Sequence, residues 1–353
     1  GGRLKLVAAM NTSGMTYMAK ADAKALNVSH FVPGLSMKPF SGSININGKG
    51  TDLRSAATKL NINASVLDFI YSGYDLSGMT FTASLEHGKA RATLDSHNPL
   101  LDGTVVLNAM MNHKRLQANV SCDIVNADLY KLQVFDVPVE ASLKADIDFA
   151  SNFKKNHSIS GSVRDISITD SSRVYTPEDI VVNAFTRTDS TFAVVKSGDF
   201  DLMVSAAGGY EKLMRNGQGL MAEVKKQLKK RYIDQVKLRQ YFPQMSFHFY
   251  AGRSNFFTRS LNRFGYDIKN AHMDLRSSSY DGINGNIAVD SLIVSGIRID
   301  TIRLAINSDS VRTDFNGQVR NGPGNPQYVF NTLFRGAFYE RGLYFGVRMF
   351  DAQ

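Results

Sequence analysis

Long runs in which apolar and polar residues alternate one by one constrain the fold of this chain more than any other feature. The clearest runs are 59–66, 116–124 and 139–149. In a strand, neighbouring side chains point to opposite faces, so each run has one apolar face and one polar face. Strands buried on both faces would be continuously apolar, so the alternation is typical of an antiparallel sheet. We therefore predict a mainly β fold dominated by a long antiparallel sheet.

Short groups of Gly, Asn and Asp separate many of the runs, and these residues tolerate the positive φ of tight hairpins. The strand–turn–strand rhythm predicts a meander. We expect its turns at 87–89, 102–103, 197–199, 281–282 and 316–317.

A longer similarity relates three stretches of the chain. Residues 40–46, 159–163 and 283–289 each contain a Gly with an apolar residue two positions before it and another two positions after it. These glycines are 119 and 124 residues apart. A recurring stretch of this kind indicates a sheet built from repeats.

One basic segment breaks the alternation. Its apolar residues fall at approximately helical spacing from 210 to 241, with Gly208 and Gly209 before it and Pro243 after it. Gly217 and Gly219 weaken the first turns, so the firmest helix is expected at 220–240. Nine basic and three acidic residues lie between 209 and 241, in a chain whose net charge is +9.

Five of these basic residues form what we call the basic cluster. It is a candidate contact for an anionic membrane surface or an acidic partner. The structural alternative, which we favour, is a solvated helix that caps one end of the sheet. The members of the cluster are Lys225, Lys226, Lys229, Lys230 and Arg231.

These patterns predict three segments. A β-repeat groove segment covers 1–207, a basic amphipathic helical insertion covers 208–244, and a second β-repeat groove segment covers 245–353. Neither end of the sequence has the signature of a natural terminus, so we interpret the chain as an internal fragment of a longer protein.

The sequence contains no recognisable catalytic or metal-binding pattern. The seven His residues are scattered without a pair at metal-ligand spacing, and there is no phosphate-binding loop or nucleophile elbow. His248 lies in the polar phase of a strand, which favours a solvated side chain. The stretch 281–286 lacks the closing Glu of a calcium loop and indicates a polar turn. We therefore predict no enzyme activity, no cofactor and no metal.

Cys122 lies in the apolar phase of its strand, where a packed small side chain is expected. The concentration of positive charge in one segment argues against a nucleic-acid-binding face.

So many one-faced strands must cover their apolar side, either by closing into a sandwich or by folding lengthwise into a trough. A trough would present a continuous apolar lining to a lipid acyl chain. At about 0.8 kcal/mol per methylene, a chain of roughly 16 carbons gains on the order of 10 kcal/mol before ordering costs. The composition leaves both options open. The candidate lining residues are Leu60, Ile62, Val66, Leu116, Val120, Ile124, Val139, Leu143, Ile147 and Phe149.

Several segments resemble the AsmA-like superfamily, and specifically the TamB-type translocation and assembly module proteins of the Bacteroidota. The resemblance covers essentially the whole chain and involves no catalytic motif. It is carried by Asn98-Pro99-Leu100-Leu101-Asp102-Gly103, Ser197-Gly198-Asp199-Phe200 and Asp281-Gly282-Ile283-Asn284-Gly285, and by parts of 122–130, 168–179 and 317–327.

This resemblance implies a middle portion of a large envelope protein. Such proteins have an inner-membrane anchor, here outside the fragment, and a taco-like β body with an apolar interior that crosses the periplasm. They are linked to outer-membrane assembly and to phospholipid transport between the inner and outer membranes. The implied partners are phospholipid acyl chains and, for the full-length protein, an outer-membrane barrel assembly partner.

Two other functions compete with a lipid groove. One is a scaffold or chaperone-like module that guides outer-membrane proteins without carrying lipid. The other is a surface adhesin built as a β-sandwich with a closed core.

Overall fold

A computed structural model describes residues 2–30, 37–170, 173–263, 265–339 and 342–351. The chain divides into two compact units, Gly1–Asp179 and Ile180–Gln353, called unit 1 and unit 2. Each unit is built on a long, open, antiparallel sheet with few helices. The prediction of a mainly β fold with a long antiparallel sheet is confirmed.

Unit 1 is a meander in which each long strand pairs with the next long strand along the chain. A short hairpin, β5–β6, interrupts the sequence between β4 and β7, and a 3₁₀ turn covers Val28–His30. The strands are β1 Arg3–Asn11, β2 Thr16–Leu26, β3 Phe40–Lys49, β4 Lys59–Asp68, β5 Ile70–Tyr71, β6 Tyr74–Asp75, β7 Met79–Glu86, β8 Lys89–His97, β9 Leu101–Asn112, β10 Arg115–Asp128, β11 Val139–Ser151, β12 His157–Asp170 and β13 Arg173–Tyr175.

The register of unit 1 aligns the apolar residues of ten strands into rows across the sheet. Residues directly opposite each other in an antiparallel pair share a face, so each row lies on one face. Three neighbouring rows contain only apolar residues, Gly, Tyr and Cys. Row A is Met10, Tyr17, Gly48, Leu60, Leu85, Ala90, Ala109, Ala118, Phe149 and Ile159. Row B is Ala8, Ala19, Ile46, Ile62, Ala83, Ala92, Leu107, Val120, Ile147 and Gly161. Row C is Leu6, Ala21, Ile44, Ala64, Phe81, Leu94, Val105, Cys122, Ala145 and Val163.

Unit 2 repeats this plan with ten strands and adds three helices. The helices α1 and α2 lie between β16 and β17, and α3 lies between β17 and β18. The elements are β14 Ile180–Thr186, β15 Ser190–Ser197, β16 Phe200–Ala207, α1 Tyr210–Lys230, α2 Gln235–Arg239, β17 Met245–Ala251, α3 Phe256–Arg263, β18 Tyr266–Ser278, β19 Gly282–Val294, β20 Ile297–Ser308, β21 Thr313–Asn321, β22 Phe330–Tyr339 and β23 Gly342–Phe350.

Two apolar rows cross all ten strands of unit 2. The strands pair consecutively and antiparallel from β14 to β23, so the rows share one face as in unit 1. Row D is Ala184, Ala193, Val204, Phe247, Leu275, Gly285, Ile306, Phe315, Gly336 and Phe345. Row E is Val182, Val195, Leu202, Phe249, Met273, Ile287, Leu304, Gly317, Phe334 and Val347.

Most of the apolar residues in these rows are only half-buried. The accessible surface is 21468 Å², whereas a compact protein of 39.0 kDa would expose about 14000 Å² and two separate globules of half that mass about 17000 Å². Within each unit, no second sheet of similar size covers the apolar rows among the described residues. The apolar face is therefore much more open than the core of an ordinary domain.

The predicted turns at 102–103 and 316–317 are wrong, because both pairs lie inside strands, β9 and β21. Gly103 is used for close packing: a Cβ there would lie 2.4 Å from the carbonyl oxygen of Asp123 on the next strand. Gly317 leaves room for an aromatic ring, since a Cβ would lie 2.2 Å from the ring of Phe334. At 87–89, by contrast, the chain turns between β7 and β8 with positive φ at His87 and Gly88.

The three glycines of the predicted repeat share a structural role. Each lies in a strand at a point where a Cβ would approach a carbonyl oxygen of the neighbouring strand, at 2.6 Å for Gly42, 2.3 Å for Gly161 and 1.9 Å for Gly285. Glycine permits this close approach of two backbones.

The helix predicted over 210–241, with its firmest part at 220–240, is corrected to two helices. The first begins at Tyr210, as the pattern indicated, and ends at Lys230. Arg231 takes a left-handed conformation, with φ 54° and ψ 40°, and its N–H donates to the carbonyls of Gln227 and Leu228. The chain then turns, and the Asp234 side chain caps α2 by accepting from the Lys237 N–H. Among the described residues, no helix is both long and apolar enough to cross a membrane.

Candidate functional site: an apolar groove under a helical lid

The ten candidate lining residues all lie in unit 1 and on a single face of its sheet. Leu60 and Phe149 belong to row A, and Ile62, Val120 and Ile147 belong to row B. The other five continue the same face beyond rows A and C: Leu116 lies beyond row A, and Val66, Ile124, Leu143 and Val139 lie beyond row C. Val139 is buried and Phe149 is exposed, while the others are half-buried. Their role as a lipid lining stays a prediction.

The opposite face of unit 1 is polar in the same strands. The row between rows B and C on this face is polar except for two valines. It is Val7, Lys20, Asn45, Asn63, Thr82, Thr93, Val106, Ser121, Asp146 and Ser162. The sheet thus separates an apolar face from a face suited to water.

In unit 2, α1 and α2 form a lid across one end of the strands, where the turns after β14, β18 and β20 lie. The lid starts at the turn between β14 and β15, where Thr186 Oγ1 accepts a hydrogen bond from the Tyr210 N–H at 2.9 Å. The Gly209 N–H donates to the Thr188 carbonyl at 3.2 Å. A 21-residue helix is about 31 Å long, and β15 and β20 are about 24 Å apart. The lid is therefore long enough to reach the turn between β20 and β21.

At that turn, hydrogen bonds from Arg239 attach the lid to the sheet. This residue is 5% exposed, and its guanidinium donates to the backbone carbonyls of Arg312 at 2.9 Å, of Tyr280 at 3.2 Å and of Asp309. It also donates to Thr313 Oγ1 at 3.2 Å. Burial lowers the pKa of Arg239, and the nearby carboxylate of Asp309 opposes this effect. These carbonyls belong to turns at the same edge of the sheet, so one side chain joins α2 to two hairpins.

A buried glutamine fixes the angle between the two helices. Gln227 Nε2 donates to Glu223 Oε1 at 3.0 Å and to the Asp234 carbonyl at 3.0 Å, and its Oε1 accepts from the Asp234 N–H at 2.7 Å. The hydrogen bond from Gln227 lowers the pKa of the Glu223 carboxyl. The polar groups at the hinge of the lid therefore satisfy one another.

A cavity of about 600 Å³ lies between the lid and the apolar face of unit 2. This is within the size range of small-molecule sites, which are mostly lined by apolar side chains. The polar groups that border it, Gln227, Gln235 and Arg239, are already engaged in the contacts that hold the lid. The apolar lining consists of Val224, Leu228, Tyr232, Ile233, Leu238 and Phe242 from the lid, and Ile283, Leu304, Ile306, Phe315, Phe334 and Phe338 from the sheet.

At the opposite end of the strands, α3 borders the sheet of unit 2. Phe257 of α3 contacts Phe200 and Phe249 on the apolar face, with ring centroids 5.5 and 5.7 Å apart. Phe200 and Phe249 also contact each other edge to face at 5.6 Å. The apolar rows of unit 2 thus run between two helical borders, forming a groove.

The helix α1 also carries exposed apolar side chains at a spacing of seven residues. Met214 and Met221 are 59% and 58% exposed, and Leu228, which lies at the rim of the cavity, is 72% exposed. The members of the basic cluster are exposed beside these side chains, and Lys226 contacts Glu223 at 3.2 Å. The proposed contact of the cluster with a membrane or an acidic partner stays a prediction.

On the polar face of unit 2, the structure brings together residues that the sequence did not. His248 on β17 lies directly opposite Asp274 on β18, and His272 precedes Asp274 by two residues on the same face. The hydrogen bond from His248, with smaller effects from His272, lowers the pKa of the Asp274 carboxyl. The expectation of scattered histidines is therefore wrong for this pair. The only signal in the sequence was the His-x-Asp spacing, which has no meaning until the strand register is known.

No protein-family profile, no curated protein and no solved structure matches this chain.

Proposed function

We propose that this chain is a lipid-binding segment of a cell-envelope protein, in which the apolar faces of both units hold phospholipid acyl chains. The observation that carries the proposal is the continuity of the apolar rows over ten strands in each unit. A second support is the apolar cavity of about 600 Å³ under the lid.

The energetics of an open face suit a mobile ligand. A fully buried chain of roughly 16 carbons gains on the order of 10 kcal/mol, and an open face that covers about half of it gains about 5 kcal/mol before ordering costs. Such binding is weak enough for exchange. The cavity under the lid has apolar walls on both sides, so an acyl chain is expected to dissociate from it more slowly than from the open rows.

The rows lack the groups that would fix one specific lipid. Rows A to E contain no charged side chain, and Tyr17 in row A carries their only hydroxyl. A headgroup would therefore stay in water at the margin while its tail lies along a row, because burying an unpaired charge is costly.

The resemblance to TamB-type proteins supplies the biological setting of the proposal. In it, the chain acts in the periplasm, in a protein anchored to the inner membrane, and carries phospholipid toward the outer membrane during outer-membrane assembly. The outer-membrane barrel assembly partner belongs to the same proposal.

Adjacent residues on β20 allow a matched test in the cavity. Leu304 lines the cavity, whereas Ala305 lies on the polar face, so aspartate is introduced at each position in turn. The proteins are isolated without detergent, and bound lipid is measured by mass spectrometry per mole of protein. While lipid on the open rows of unit 1 remains, we expect the Leu304→Asp protein to lose the lipid that the cavity holds, because a carboxylate in the lining is costly to bury. The Ala305→Asp protein should retain it.

The same comparison is made in unit 1 with Val120→Asp in row B and Ser121→Asp on the polar face. Circular dichroism verifies that all four variants are folded. A wild-type protein without bound phospholipid would contradict the proposal, and so would equal lipid loss in both members of each pair.

A scaffold for outer-membrane proteins is the second candidate. Its support is β1, which is exposed along its whole length and pairs only with β2 among the described residues. An exposed edge of this kind can accept an extended segment of another chain. Crosslinks from Leu4 or Leu6 to an unfolded barrel segment, in protein that carries no lipid, would favour this function.

A further inference from the structure

The polar face of unit 2 carries a compact cluster of His248, His272 and Asp274. His248 Nδ1 lies 2.6 Å from Asp274 Oδ1, and His272 Nε2 lies 2.6 Å from Asp274 Oδ2. One possible ligand atom from each residue falls within 4.8 Å of the others. The two rings meet edge to face with centroids 5.7 Å apart. Three side chains from two paired strands therefore converge on one point.

We propose that this cluster binds a divalent transition-metal ion such as Zn²⁺. Two imidazole nitrogens and one carboxylate oxygen are a ligand set that zinc accepts, with the remaining position taken by water. Similar sets bind other first-row ions, for which affinity generally rises toward copper.

The geometry needs only a small adjustment to accept the ion. With bonds of about 2.0–2.1 Å, neighbouring ligand atoms around tetrahedral zinc are about 3.3 Å apart. The nitrogen–oxygen distances in the cluster are 2.6 Å, from His248 to one oxygen of Asp274 and from His272 to the other. The side chains must therefore separate before both nitrogens and a single carboxylate oxygen can bind one ion. Rotation of the half-exposed side chains can provide this movement while both strands stay in place.

The surroundings favour an open site with access to water. The side chains of His248, His272 and Asp274 are 39%, 37% and 45% exposed. Asn286 lies opposite Asp274 on the other side. Arg276, two residues beyond Asp274, is exposed to solvent and is the charged neighbour that would oppose a cation.

The site is independent of the apolar groove. His248 alternates with Phe247 and Phe249, which belong to rows D and E, so the cluster and the rows occupy opposite faces of β17. A bound ion would clamp β17 to β18, and β17 is the strand that lies between the lid and α3 in the chain. The inference therefore goes beyond lipid binding and can fail or succeed separately.

Zinc binding to the full chain tests the proposal. The chelator-stripped protein is titrated with Zn²⁺ against a fluorescent chelator, and Co²⁺ absorption reports the coordination. We expect one ion per chain and a thermal unfolding temperature that rises with Zn²⁺. Removal of one ligand in His272→Ala should weaken binding by at least about 100-fold, because loss of outer-shell partners alone costs 10- to 100-fold.

Two further variants keep the outcome decisive. Asp274→Asn preserves the shape of the side chain and should lose the site while remaining folded by circular dichroism. His113→Ala removes an exposed histidine from a turn in unit 1 and should bind as the wild type does. The proposal is refuted if the wild type binds no stoichiometric Zn²⁺, or if Asp274→Asn and His113→Ala bind equally well.

Discussion

Replacing Arg239 by alanine is expected to release the end of the helical lid while leaving the sheet intact. The side chain connects α2 to the turns that follow β18 and β20. Gln235, the nearest alternative, donates to the Val311 carbonyl in only one of them.

The size of the effect follows from the hydrogen bonds that are lost. Three bonds from a charged donor to carbonyls contribute about 1.5 kcal/mol each. The bond to Thr313 adds a smaller amount. Part of this is offset, because the exposed turns regain water and the burial cost of the guanidinium disappears. We therefore expect the lid to lose about 3 kcal/mol of stability against local opening.

Hydrogen exchange measures this quantity directly. A loss of about 3 kcal/mol corresponds to amide exchange roughly 100-fold faster in α1 and α2. Amides of β17 and β18 should change little. The matched control is Lys237→Ala, which removes an exposed cation of the same helix. Its ammonium lies 3.2 Å from the buried Asp234 carboxylate, and because Lys237 is more than half exposed we expect this loss to cost about 1 kcal/mol or less. Equal exchange in the two variants would refute the assignment of Arg239 as the fastener of the lid.

Four other changes test separate parts of the structure. Gly161→Ala should destabilise unit 1 by about 2 kcal/mol in urea unfolding, because its Cβ would lie 2.3 Å from a carbonyl oxygen; Gly217→Ala, with open space around it in α1, should instead stabilise by about 0.5–1 kcal/mol. Burial raises the pKa of Asp300, but hydrogen bonds from the Gly322 N–H and from Arg298 lower it by a larger amount. The net result is a pKa below the usual value. Its stabilisation is therefore complete above the unfolded pKa and is lost as pH falls through the folded pKa. Asp300→Asn should cost about 1 kcal/mol at pH 7, and a cost that persists below the folded pKa would contradict this origin. The membrane contact of the basic cluster is the alternative to the solvated capping helix favoured above. If the cluster makes that contact, charge reversal of all five residues should abolish pelleting with anionic vesicles and leave pelleting with zwitterionic vesicles unchanged. Unchanged pelleting with anionic vesicles would exclude the membrane contact.

The strands of this chain were predictable because a two-residue period records the two faces of a sheet. The run that contains Val120 and the run that contains Ile147 both form long strands, and their apolar phases meet in row B. The turns were less predictable. Asp102-Gly103 reads as a hairpin turn, but glycine also serves where two backbones approach closely, and the sequence does not distinguish the two uses.

The candidate site was predictable only in part for a similar reason. Alternation indicated an apolar face, but the position of the lid depends on Arg239 reaching carbonyls 41 to 73 residues away in the chain. The helix break at Arg231 depends on contacts of Gln227 with the following turn. The pairing of His248 with Asp274 depends on the register of two strands separated by α3. Each of these is a long-range property that local spacing does not encode.

The consecutive order of the long strands makes each sheet extensible. Every long strand contributes one residue to each row. After every two strands, the chain is back at the same end of the strands. Inserting or deleting one hairpin would therefore change the length of all rows by about 10 Å, without altering the register of the remaining strands. The length of the apolar rows can therefore be matched to a required distance in steps of two strands.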